Sequence, residues 1–182
     1  MELLPTSLPG VLLIQPKVHR DERGFFVETF QIPRYKEAGV TVDFVQDNQS
    51  ASQKNTLRGL HAQIQRPQAK LVRCIEGEIF DVAVDVRKGS PNFGKWFGAL
   101  LNAENCRQMY VPAGFVHGFA VMTERAQVEY KCSDIYVPDD QLTVLWNDPQ
   151  IGVQWGIQDP ILSPKDKGAK TLAQQMDLLP NF

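Results

Sequence analysis

Apolar and polar positions alternate along this chain in short runs, broken at close intervals by turn-forming residues. The clearest run is 78–86, EIFDVAVDV, with Phe80, Val82, Val84 and Val86 on one side and Ile79, Asp81, Ala83 and Asp85 on the other. A period of two predicts a strand and not a helix. The run 71–75 precedes it, with Glu76-Gly77-Glu78 between, so the two predict a hairpin. Further strands are predicted over 11–14, 24–30, 44–50, 56–63, 97–101, 107–111, 118–122, 127–135 and 143–145. Turn formers separate them at 21–24, 59, 76–77, 89–91, 112–114, 138–140 and 148–149. Helices are predicted only over 33–38, stopped by Gly39, and over 172–178. Many short strands with little helix predict an antiparallel all-β sandwich or barrel.

The chain of 182 residues fits one domain, 1–182, with a sizeable core. No internal repeat or linker interrupts it. A net charge of −2 gives no basic excess for nucleic acid or an anionic membrane. No apolar run approaches a membrane span. The first residues, MELLPTSLPG, hold an acid and prolines and no early Lys or Arg, which fits neither a signal nor a transit peptide. Cys74, Cys106 and Cys132 are odd in number and far apart, which argues against a disulfide framework or a zinc knuckle and fits a reducing cytoplasm.

The chemistry-bearing residues are few. The histidines are His19, His61 and His117. By alternation Leu57, Gly59, His61 and Gln63 share one face, and Thr56, Arg58, Leu60 and Ala62 the other. His61 is either a hydrogen-bonded structural histidine or a base working near neutral pH. Val128, Tyr130 and Cys132 share a face, so Tyr130 is either a core tyrosine or a proton donor. Asp81 and Asp85 are either solvent-facing or pocket-lining. Lys70, Arg58, Arg73, Arg23 and Lys165 stand near predicted strand ends or turns. Singly each reads as a solvated charge; together they suffice for a diphosphate, though spacing alone does not bring them together. Isolated histidines with no adjacent ligand pair argue against a first-row metal site.

The stretch 112–119, PAGFVHGF, resembles the second half of a cupin motif. DERGFFVETF (21–30), FVQDN (44–48), LRGLH (57–61), KLVR (70–73), GEIFDVAVDVRKGSP (77–91), AEN (103–105), VPAGFVHGFAV (111–121), EYK (129–131) and LSPKD (162–166) follow in order. In that order and spacing the chain resembles the dTDP-4-dehydrorhamnose 3,5-epimerase family over nearly its whole length. The resemblance implies a cupin-type double-stranded β jelly roll with short peripheral helices. It implies a cytoplasmic homodimer that inverts C3 and C5 of a dTDP-linked 4-keto-6-deoxyhexose without a cofactor or metal. His61 matches the family's base, Asp166 its carboxylate partner, Tyr130 the opposite-face donor and Lys70 the cation beside the C4 oxygen. Arg58, Asp81 and His117 match pocket positions. Arg23, Glu28, Gln46, Asn48 and Lys165 match nucleotide-binding positions, some of them from a partner subunit. Tyr136 matches an aromatic position near the base. The chain departs from the pattern at Ala62, where an aromatic is common, at Ala69, where Gly is common, and at Gln141, where an acid is frequent.

The implied reaction needs these residue types. C3 and C5 both flank the C4 ketone, so loss of either proton puts charge on the C4 oxygen. A fixed ammonium there stabilises the enolate more than the ground state. Inversion requires a second proton carrier on the other face. Epimerases of C3 or C5 alone share these groups, so the motifs do not separate them from a double epimerase. A 3,4-ketoisomerase and a non-catalytic sugar-nucleotide cupin also compete with that reading; LRGLH and LSPKD favour the epimerase over the ketoisomerase.

Overall fold

The structure, a computed structural model, describes residues 1–181. In chain order its strands are β1 (Glu2–Leu4), β2 (Leu12–Gln15), β3 (Val18–Asp21), β4 (Gly24–Val27), β5 (Gln46–Gln53), β6 (Leu57–Gln63) and β7 (Lys70–Glu76). There follow β8 (Glu78–Asp85), β9 (Trp96–Asn102), β10 (Gln108–Val111), β11 (Phe115–Val121), β12 (Arg125–Cys132) and β13 (Gln141–Thr143). The α-helices are short: α1 (Ile32–Glu37) and α2 (Pro164–Lys167). The predicted helix at 172–178 is a 3-10 turn over Ala173–Leu178.

One sheet has six strands in the order β1-β2-β10-β7-β12-β5, and a second has five, β13-β6-β11-β8-β9. β3 and β4 form a separate ribbon. Every ladder between these strands is antiparallel. The sheets face each other as a jelly roll. Between them lie Val72, Cys74, Met109 and Val128 from one sheet and Ile79, Ala83, Phe115 and Phe119 from the other. Each fully buried side chain of this size is worth about 1.5–3 kcal/mol.

The predicted hairpin of 71–75 with 78–86 does not form. β7 pairs with β10 and β12, whereas β8 pairs with β11 and β9. Gly77 therefore carries the chain from one sheet to the other, so that Cys74 and Ile79 both reach the space between sheets. Gly77 has φ +72°, and a Cβ there would lie 2.0 Å from the Arg125 carbonyl oxygen, so no larger residue fits this corner.

Both outer faces are covered too. Val82, Val84 and Val86 pack with Ile151, Val153, Trp155, Leu172 and Leu179, so the C-terminal third wraps the five-stranded sheet. Tyr35 of α1 packs on Leu71 and Tyr110 outside the six-stranded sheet. β8 is thus apolar on one side and mixed on the other, with both sides buried. Neither Asp81 nor Asp85 faces solvent. Asp85 is held by Arg87 and Ser90, and Asp81 by His117.

Candidate active site

The site opens where β6, β7, β11 and β12 converge between the sheets. β6 and β11 run antiparallel with His61 opposite His117, then slip, so that Phe119 pairs with Arg58 and not with Gly59. The extra residue on β6 is a β-bulge. Alternation alone separates Arg58 from His61. The bulge corrects that expectation: both line one cavity of about 390 Å³, while Leu60 between them turns to the outer cluster. Gly59 permits it. Its φ is +128°, and a Cβ would sit 2.6 Å from Gly118 Cα. Ala62, by contrast, packs on the outer cluster, opposite His61 as alternation predicts.

Lys70 and Tyr130 enter the same cavity from the opposite sheet, with His117, Phe119, Ser163 and Asp166 on its wall. Lys70 stands at the start of β7 on the inner face, next to Cys132 in the ladder. Its Nζ lies 6.0 Å from the centre of the Tyr130 ring. Burial lowers the Lys70 pKa from the ordinary lysine value; the Cys132 and Asp81 side chains oppose that. Burial raises the Tyr130 phenol, Cys132 and Tyr136 add to the rise, and Arg58 counters it. The phenol thus keeps its proton at neutral pH and can donate it.

His61 Nε2 lies 2.5 Å from Asp166 Oδ1. The imidazole is partly open to the cavity, with 27% side-chain exposure, while the carboxylate is at 4%. Burial pushes the Asp166 carboxyl up, but the His61 hydrogen bond and charge, Ser163 and the Gly59 N–H outweigh it, so the net shift is downward. An ionised carboxylate on one ring nitrogen fixes the proton there and leaves the other nitrogen free to take one. Asp166 sits in α2, whose start is set by Ser163 as N-cap, its hydroxyl 3.1 Å from the Asp166 N–H, and by Pro164 in the first turn. Ser163 is a site residue that the sequence reading misses, although its Ser-Pro pair carries the capping signal.

A second pair lies deeper. His117 Nε2 is 2.7 Å from Asp81 Oδ1, with side-chain exposures of 8% and 0%. Asp81 Oδ2 is buried with no hydrogen-bond partner.

Several further positions are tied to one another outside the lining of this cavity. Gln46 Nε2 donates to Asn48 Oδ1 at 3.0 Å, and the Tyr136 N–H donates to Gln46 Oε1 at 2.8 Å. The Tyr136 hydroxyl and Lys165 Nζ both donate to Gln141 Oε1 at 2.9 Å. The chain Asn48–Gln46–Tyr136–Gln141–Lys165 therefore ends beside the Asp166 helix. Arg23 and Glu28 are elsewhere. Arg23 lies in the β3–β4 turn, paired with Asp21 at 2.5 Å, and Glu28 pairs with Arg34 at 2.5 Å beside a separate hollow. Among the described residues no group of three His, Cys, Asp or Glu is gathered to hold a metal ion. Nor is any helix there long and apolar enough to cross a membrane.

A family model described as dTDP-4-dehydrorhamnose 3,5-epimerase matches residues 5–174. The chain belongs to that family. The family is one of isomerase-class carbohydrate epimerases, and its fold is the cupin-type jelly roll. A dTDP-4-dehydrorhamnose 3,5-epimerase of Neisseria gonorrhoeae is 52% identical over 96% of this chain and 53% of its own length, so the chain spans about half of that relative. The 3,5-epimerase of Legionella pneumophila, solved with dTDP-4-keto-L-rhamnose, is 48% identical with TM-score 0.96, covering 100% of this chain and 98% of that one. A 3'-monoepimerase of Streptomyces bikiniensis, solved with dTDP-quinovose, is 35% identical with TM-score 0.90, covering 97% of this chain and 92% of that one. The 3,5-epimerase resemblance seen in the sequence thus holds along the chain, and likeness of fold extends to a single-centre epimerase.

Proposed function

We propose that this epimerase inverts C3 and C5 of dTDP-4-keto-6-deoxy-D-glucose, giving dTDP-4-keto-L-rhamnose. His61 removes the proton alpha to the C4 ketone, with Asp166 setting its tautomer and stabilising the imidazolium. Lys70 holds the C4 oxyanion as the enolate forms. Tyr130 returns a proton from the opposite face. The ketone is the electron sink, so the reading needs no cofactor. The observation that supports it best is that imidazole, ammonium and phenol share one cavity, with the histidine and tyrosine arriving from opposite sheets.

Arg58 and His117 bind the sugar and diphosphate, with Asp81 behind His117; Gln46, Asn48, Tyr136 and Lys165 hold the nucleotide end. In this reading Arg23 and Glu28 serve the site of a second copy in a homodimer. Support comes from the β3–β4 ribbon, where Phe25 is 56% and Phe26 71% exposed. A two-stranded ribbon with bare aromatics gains stability by packing on a partner. The free thiols of Cys74, Cys106 and Cys132 fit a cytoplasmic enzyme.

Proton NMR of the substrate in D₂O tests the reaction. Deuterium at both C3 and C5, with product formed, supports the double epimerase. Exchange at one carbon assigns the chain to the single-centre type, which the likeness to the Streptomyces enzyme keeps as the second reading. A product with its ketone at C3, or no exchange at all, overturns both.

A further inference from the structure

Gln63 lies two residues beyond His61 on β6, is only 5% exposed, and has no part in the chemistry above. Its side-chain amide bonds only to backbone. Nε2 donates to the carbonyls of Arg66 at 2.8 Å and Ile135 at 3.1 Å, and Oε1 accepts from the Val137 N–H at 2.7 Å. Both amide hydrogens and the oxygen are thereby satisfied in a buried place, where an unmet amide is costly.

Two of those three bonds go to the peptide groups on either side of Tyr136. The loop that carries this residue follows β12 and has no ladder of its own until β13. The ring is half exposed, so packing alone does not fix it. Its remaining anchors are the Gln46 and Gln141 side chains. Asp140 closes the loop from the far end: its carboxylate accepts from the N–H groups of Ile64, Gln65 and Arg66 at 3.2, 2.7 and 2.8 Å. Tyr136 is also within electrostatic reach of Tyr130 in the cavity. The strand bearing the base is therefore bolted, through one buried amide, to the backbone on both sides of Tyr136, whose hydroxyl shares Gln141 with Lys165 of the Asp166 helix.

We propose that Gln63 is a positioning residue that fixes Tyr136 against the bound sugar nucleotide, an inference that rests on the epimerase reading above. Its loss frees the ring, and a displaced contact weakens binding before it touches proton transfer at His61. A residue that merely stitched the loop would act whether or not the tyrosine ring were present.

A double-mutant cycle on the full chain separates the two. Gln63→Met keeps length and volume and removes all three bonds; it raises KM about tenfold, with a smaller fall in kcat. Gln63→Asn keeps an amide that is too short to reach all three partners and lies between wild type and Gln63→Met. In a Tyr136→Ala background, Gln63→Met adds nothing further. Wild-type kinetics for Gln63→Met overturn the proposal, as does an equal loss with and without the tyrosine ring. Should Gln63→Met fail to fold, Gln63→Asn runs the same cycle with the same outcomes. A silent Tyr136→Ala overturns the proposal and leaves the epimerase reading standing; absent deuterium exchange in the wild type defeats that reading itself.

Discussion

Among the described residues stand two histidine–aspartate pairs, their histidines opposite each other on neighbouring strands, and they live in different surroundings. His61 meets Asp166 at its edge and keeps a quarter of its side chain open to the cavity. His117 meets Asp81 under nearly complete burial, and one Asp81 oxygen has no partner at all. The chemical groups are the same, so pairing does not distinguish a base from a more deeply buried binding residue. Access does: a base must reach a substrate proton, while a buried pair must chiefly avoid an uncompensated charge.

The comparison breaks most sharply through His61→Asn. Proton exchange at both sugar carbons falls by about 10²–10⁴-fold, read by NMR in D₂O, with dTDP binding nearly intact by calorimetry. Near-normal exchange would return the base role to another group. His117→Leu gives a different signature. It weakens sugar-nucleotide binding, strips the Asp81 carboxylate of the one side-chain hydrogen bond it has among the described residues, and destabilises the fold by about 3–5 kcal/mol in urea titrations. A stable His117→Leu protein with abolished exchange would reverse the assignment of the two pairs. Tyr130→Phe sharpens the contrast further, because Tyr130 reaches the cavity from the sheet opposite both histidines. Epimerisation slows by about 10²-fold while the first proton loss slows less, measured as product formed against deuterium taken up. Equal slowing of both steps would argue against the donor role of Tyr130.

The smallest effect is in the pH profile. Burial lowers the Lys70 pKa below that of an ordinary lysine and raises the Tyr130 pKa above that of an ordinary tyrosine. As pH rises, Lys70 therefore loses its proton earlier than an ordinary lysine, and the rate falls with it. Its effect on stability has the other sign. Between the folded and unfolded values the unfolded chain binds more protons, so the Lys70 contribution to stability increases with pH. Lys70→Arg removes this alkaline limb from the rate profile, since a guanidinium stays charged throughout. An unchanged limb in that variant assigns it to another group.

Much of this was legible in the sequence, though unevenly. The period of two in 78–86 was enough for a strand, though not for its burial on both faces, and the common face of Val128, Tyr130 and Cys132 points into the sandwich. The residues around Gly59 misled, because alternation assumes an unbroken ladder and the bulge there adds one residue. The hairpin expected at Gly77 failed for a related reason: a tight turn looks the same in sequence whether the chain returns to its own sheet or crosses to the other. Asp166 was recognisable only through its family context, since more than a hundred positions separate it from His61. Gln63 gave no sign, because its partners are backbone groups of a distant loop, and backbone leaves no residue-type signature.

The wrap of the C-terminal third over the five-stranded sheet has a consequence for how the enzyme comes into being. A nascent chain that has emerged only as far as β13 already possesses the imidazole, the ammonium and the phenol. It still lacks the carboxylate that orients the first of them, and the greasy back of its sheet is bare to solvent or to a chaperone. Maturation of the reaction centre and shielding of that sheet are therefore completed by one late segment during translation.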